Sequence, residues 1–69
     1  MNTKTFTVTG MTCGHCEMSV REEVSELPGL QNIEVDRNRQ FLSVSSEQEI
    51  DSDAVIAAVS EAGFSATAN

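Results

Sequence analysis

The sequence predicts an α+β chain in which two helices cover one face of a four-stranded antiparallel sheet, in the order βαββαβ. Three observations predict it. The spacing of apolar residues switches from period two to the helical period and back, twice within 69 residues. Turn-forming residues, Gly10, Pro28-Gly29 and Gly63, stand near the switches. The two βαβ halves, about residues 1–36 and 37–69, are nearly equal in length, as a split βαβ, ferredoxin-like sandwich requires.

Phe6 and Val8 alternate with Thr5, Thr7 and Thr9 to give the first strand, which Gly10 ends. From Glu17 the period changes. Val20, Val24 and Leu27 follow at i, i+4 and i+7 while Arg21, Glu22, Glu23 and Glu26 take the other side, which predicts an amphipathic helix over residues 15–26. Pro28-Gly29 stops it. Ile33 and Val35 alternate with Asn32, Glu34 and Asp36 in a second strand, and Leu42 and Val44 alternate with Ser43 and Ser45 in a third. Arg37-Asn38-Arg39 joins them as a hairpin, with Asn38 expected at positive φ. Asp51 and Ser52 are both candidates to cap a second helix, whose buried stripe is Val55, Val59 and Ala62 and which Gly63 ends. Phe64 to Thr67 supply the last strand. The uncovered sheet face is expected to carry Thr5, Thr7, Thr9, Glu34, Ser43 and Ser45.

A chain of this size, residues 1–69, is expected to make one domain, since so short a chain buries only about 60% of its unfolded surface. Its core is expected to join Phe6, Val8, Val20, Val24, Leu27, Ile33, Val35, Leu42, Val44, Val55 and Val59. Eleven acidic against four basic residues give a formal charge of −7, which argues against nucleic-acid binding and against an anionic membrane surface. No apolar run has the length of a signal peptide core or a membrane span. The expectation is a cytoplasmic protein. Two cysteines three apart in a reducing compartment are a place for chemistry rather than a structural staple.

Those cysteines lie in Met11-Thr12-Cys13-Gly14-His15-Cys16, between the first strand and the first helix. The spacing puts Cys13 in the loop and Cys16 in the first helical turn, where both sulfurs can converge. The free N–H groups and partial positive charge of the helix start favour thiolate over thiol. Two thiolates with little else suit a soft cation of low coordination, and Cu(I) fits best. A structural zinc would want four ligands, whereas the chain offers Cys13, Cys16 and one histidine, His15. A redox dithiol is the other use of the spacing, though the element order differs from a thioredoxin-like fold.

Gly10-Met11-Thr12-Cys13-Gly14-His15-Cys16 resembles the G-M-x-C-x-x-C signature of the heavy-metal-associated domain family. The resemblance extends to Leu27-Pro28-Gly29-Leu30, Ile33-Glu34-Val35 and Glu61-Ala62-Gly63-Phe64, almost the whole chain. With Met1 at one end and Asn69 at the other, it looks like the free-standing bacterial copper chaperones of the CopZ type. The resemblance implies a non-enzymatic protein that binds Cu(I) through Cys13 and Cys16. It implies delivery through shared thiolate intermediates to the N-terminal metal-binding domain of a copper-exporting P-type ATPase. It also implies a monomer without metal and a possible metal-bridged dimer with it. Binding or delivery of Zn, Cd or Hg on the same scaffold is the alternative, and thiol-disulfide exchange a third.

Two positions depart from the family pattern. Phe64 stands where such chaperones often carry Tyr or Lys, so any influence of that loop on the metal is steric or apolar. Thr12 precedes the first cysteine where zinc and cadmium relatives often carry Asp, which moves the balance toward copper. Met11 is expected to pack beneath the loop against Val20 and Val24 rather than act as a thioether ligand. His15 is expected to point outward, or to serve as a third ligand in a dimer or during handover. Met18 is expected to be a partly exposed contact beside the site.

Overall fold

Phe6 and Val8 are sealed from water while Thr7 and Thr9 between and beyond them are exposed, so the first strand already separates a core face from an open one. A computed structural model describes residues 2–69. It contains β1 (Asn2–Thr9), α1 (Gly14–Ser25), β2 (Leu30–Asp36), β3 (Phe41–Ser46), α2 (Ser52–Glu61) and β4 (Ser65–Ala68). The sheet order is β2-β3-β1-β4, with every neighbouring pair antiparallel. α1 lies against β2, α2 against β4, and the helices against each other, which is the ferredoxin-like sandwich.

Register aligns the apolar residues across the sheet. Phe6 pairs with Leu42 on one side and Ala68 on the other, Val35 with Leu42, and Ile33 with Val44. Of the expected core, Leu27 and Ile33 are only partly buried, because Ile33 sits on an edge strand and Leu27 beyond the last turn of α1. Met11, Ile50 and Ala58 complete it. Ile50 stands just before Asp51, the residue that caps α2 through hydrogen bonds from Asp53 N (3.0 Å) and Ala54 N (3.4 Å) to its Oδ1. With Val55 four positions beyond the cap, Ile50 has the placement of a hydrophobic staple. Ala62 terminates α2 and is partly buried, so Ala58 takes the place expected for it in the buried stripe.

The β2–β3 hairpin differs from expectation. Its loop is Arg37–Gln40, and the left-handed residue is Gln40 (φ 53°), not Asn38. Asp36 Oδ1 accepts from both Asn38 N (2.9 Å) and Arg39 N (3.3 Å). This Asx-type closure occupies the first half of the loop and leaves the reversal of handedness to its last residue. Gly29, after α1, has the positive φ (85°) expected at a helix exit. β2 then takes a bulge between Leu30 and Asn32, which keeps Ile33 and Val35 opposite Val44 and Leu42.

On the open face Thr3 and Ser45 share a hydroxyl hydrogen bond (3.2 Å) and Thr7 donates to Asn69 Oδ1 (2.9 Å). Phe41, paired with Thr7, shares this face, and the Arg39 guanidinium lies 4.9 Å from its ring centroid.

Both helices and β1, β2 and β3 supply buried residues to this core, β4 packs the partly buried Ala66 against it, and neither cysteine is among its fully buried members. Chelator-treated, reduced protein is therefore expected to keep a folded far-ultraviolet circular dichroism spectrum; a coil spectrum that folds only with metal would reverse this. Phe6→Ala, at a completely buried position, should cost about 3–5 kcal/mol in denaturant unfolding.

Candidate metal centre

Between the end of β1 and the start of α1 the chain must turn away from the sheet within four residues, Gly10 to Cys13. Gly10 makes the turn at φ +97°, and a Cβ there would stand 3.2 Å from the Phe64 ring. Phe64 thus packs against the backbone where the loop begins. Met11 follows with its side chain 2% exposed, in the same cluster as Val20 and Val24. Thr12 and Cys13 emerge into solvent.

Cys13 is the N-cap of α1, with extended backbone (φ −149°, ψ 167°). Its sulfur accepts from Cys16 N at 3.4 Å, in the place a Ser or Asp oxygen ordinarily takes. Cys16 lies one turn on, and the two sulfurs are 2.9 Å apart, hydrogen-bonded and not bridged. They are not equivalent. Cys16 is half-buried and packs against the core from a helix, whereas Cys13 is exposed on the loop.

The Cys16 thiol is held below its ordinary value, first by the hydrogen bond with Cys13 and then by the Thr12 backbone, with partial burial opposing. A lowered value in the folded chain means that the thiolate adds stability above the unfolded cysteine's pKa, and that this is lost as pH falls through the folded value. In apo, reduced protein the first thiolate seen by ultraviolet titration should therefore form below the pH of a free cysteine. Cys13→Ser should move the Cys16 titration upward; an unchanged midpoint would remove Cys13 as its main cause.

The expected residues fall as follows. Met11 is in the core cluster with Val20 and Val24. His15 is exposed, as is Met18 at 57%. Among the described residues no group of three or more His, Cys, Asp and Glu side chains converges. Two residues of the β2–β3 hairpin support it without having been read from the sequence. Gln40 hydrogen-bonds the Met11 peptide through its side-chain amide. Arg37 donates its backbone N–H to Glu17 Oε2 (2.9 Å), and its guanidinium reaches Gly14, where a Cβ would stand 3.0 Å from Nη1. Only a hairpin folded back onto α1 places them there, and no local pattern signals it.

Comparison with known proteins agrees with this geometry. Residues 5–65 match the model of the heavy-metal-associated domain family. A COP-associated protein of Helicobacter felis is 35% identical over 57 residues, covering 83% of this chain and 86% of that protein. Mercuric reductase of Shigella flexneri is 33% identical over 63 residues, covering 91% of this chain but only 11% of the reductase. Among solved structures, a copper-binding domain of the P-type ATPase HMA7 superposes with a TM-score of 0.89 at 25% identity, over 100% of this chain and 95% of that one. With its strand-loop-helix cysteine pair and a family match that runs from β1 into β4, the chain belongs to the heavy-metal-associated domain family.

Proposed function

We propose that this protein is a non-enzymatic carrier that binds Cu(I) between Cys13 and Cys16 and hands it to a metal-binding domain of a copper-transporting P-type ATPase, in the cytoplasm. The observation that carries the reading is the pair of free sulfurs at 2.9 Å on the rim of a core that does not include them. A closed structural site would need two more ligands, and the described residues bring none together. Soft thiolates in a low-coordinate, accessible site favour Cu(I) and permit its exchange. The copper-binding ATPase domain of the same fold supports a partner built like the carrier itself.

Loading requires the sulfurs to part. Two bonds of about 2.3 Å laid end to end span about 4.6 Å, against 2.9 Å between the sulfurs here. Cys16 is fixed by its helix and its packing, so Cys13 supplies the movement. In handover an incoming thiolate of the partner adds to the ion, Cys13 leaves, and a second partner thiolate then displaces Cys16. No bond to carbon is made or broken and no electron changes hands.

The similarity to mercuric reductase favours a second reading, in which the same pair carries Hg(II). Competition decides between them. Bathocuproine titration should show one Cu(I) per chain at low loading, Cys13→Ser and Cys16→Ser should each abolish tight binding, and Met11→Leu should bind nearly as the parent does. Tight Hg(II) or Zn(II) binding with weak Cu(I) binding would overturn the choice of metal. Loading should also raise the melting temperature without changing secondary structure, since ligand at a thousandfold its dissociation constant adds about 4 kcal/mol.

A further inference from the structure

β1 ends at Thr9 and α1 starts at Gly14, so the Met11 peptide belongs to neither and its N–H and C=O need partners elsewhere. Both are met by one side chain. Gln40 Oε1 accepts from Met11 N at 3.2 Å, and Gln40 Nε2 donates to Met11 O at 2.6 Å. The second proton of the same amide is directed at Arg37 O, closing the hairpin from within. A carboxamide is the group that matches a peptide at both ends, because it carries donor and acceptor side by side. Glu offers no donor and Lys no acceptor, and Asn is a methylene shorter.

The backbone of Gln40 is itself tied in. Its carbonyl accepts from Val8 N at 2.9 Å, next to the last turn of β1 into the loop. Gln40 also holds φ at 53°, a conformation a residue with a Cβ rarely adopts and one that persists where the surroundings fix it. Gly10 against Phe64 and Met11 in the core secure the same stretch from the other side. What is left between these anchors and the helix is short: Thr12, and Cys13, which is exposed but whose carbonyl already accepts from Glu17 N at 3.3 Å.

We propose that Gln40 is the positioning residue of the cysteine pair: its side-chain amide locks the Met11 peptide, confines movement of the arm to Thr12 and Cys13, and so sets how fast a thiolate-bound ion is released. Its last part rests on the metal-carrier reading; the locking itself does not.

Gln40→Gly and Gln40→Asn test it, since both residues accept positive φ and keep the backbone bonds of residue 40 with Arg37 O and Val8 N while removing the clasp. Amide hydrogen exchange on apo protein is read at two sites. Met11 N, bonded to the side chain, should lose protection at least tenfold, while Val8 N, bonded to the Gln40 carbonyl, should keep it. Loss at both would mean that the hairpin had melted and would overturn a specific role for the amide, as would unchanged protection at Met11. Release of Cu(I) from loaded protein to excess bathocuproine should quicken at least threefold in both variants. An unchanged release rate with Met11 freed would overturn the link to release. If the parent protein holds no Cu(I), the carrier reading fails by itself, and the exchange measurement still decides the clasp.

Discussion

Helix α1 has to begin within a few residues of the end of β1, and the residue that begins it must satisfy amide groups that no preceding helical turn can reach. Cys13 does this with sulfur. Its Sγ accepts from Cys16 N and, by the same placement, faces the Cys16 sulfur. Capping the helix and pairing the cysteines are therefore one constraint, and the rest of the loop is arranged to meet it. Gly10 turns the chain off the sheet, Met11 plugs into the core, and the hairpin braces the peptide between them. The same pairing acts on Cys16, whose thiol is held below its ordinary value first by the hydrogen bond with Cys13.

Most of the fold was legible because it rests on period. Val20 and Val24, or Leu42 and Val44, announce their faces by spacing alone, and all four are completely buried. The cysteine pair was legible for a similar reason, since a loop residue and a first-turn residue three apart must lie close together. The misplaced turn in the hairpin has a different origin. Asn38 has the better intrinsic tendency toward positive φ, but the Asp36 carboxylate captures Asn38 N and Arg39 N and passes the reversal to Gln40. Gln40 then exploits that position to reach Met11, 29 residues away in sequence. Contacts of this separation leave no mark on a local pattern. Ile50 is an intermediate case, because its place before the Asp51 cap is a recognisable staple once the helix start is known.

The division between core and centre follows from size. A domain of this length has little stability to spare, so a site that must open and close cannot also hold the elements together. Here the sealed set Phe6, Val8, Val20, Val24, Leu42, Val44 and Val59 draws on both helices and the two central strands without using either sulfur. Among the described residues no buried side-chain polar atom lacks a partner. Movement of the Cys13 side chain therefore takes no member of this sealed set out of burial.

The two sulfurs are correspondingly unequal, and that inequality gives the proposed handover a direction. Cys16 is carried by a helix whose inner face is Val20 and Val24, so displacing it would disturb the packing of α1. Cys13 is itself the cap, one exposed residue beyond the clamped Met11 peptide, and rotating its side chain away gives up a long hydrogen bond from Cys16 N (3.4 Å) and the one between the two sulfurs. In the proposed carrier, an ion shared between them would be held at a fixed point and a movable one. An approaching thiolate would compete first with the movable bond, while the fixed one kept the ion from escaping until the competitor was seated. The proposed anchoring of Met11 would sharpen this order, because it would stop the arm from carrying the loop's base with it.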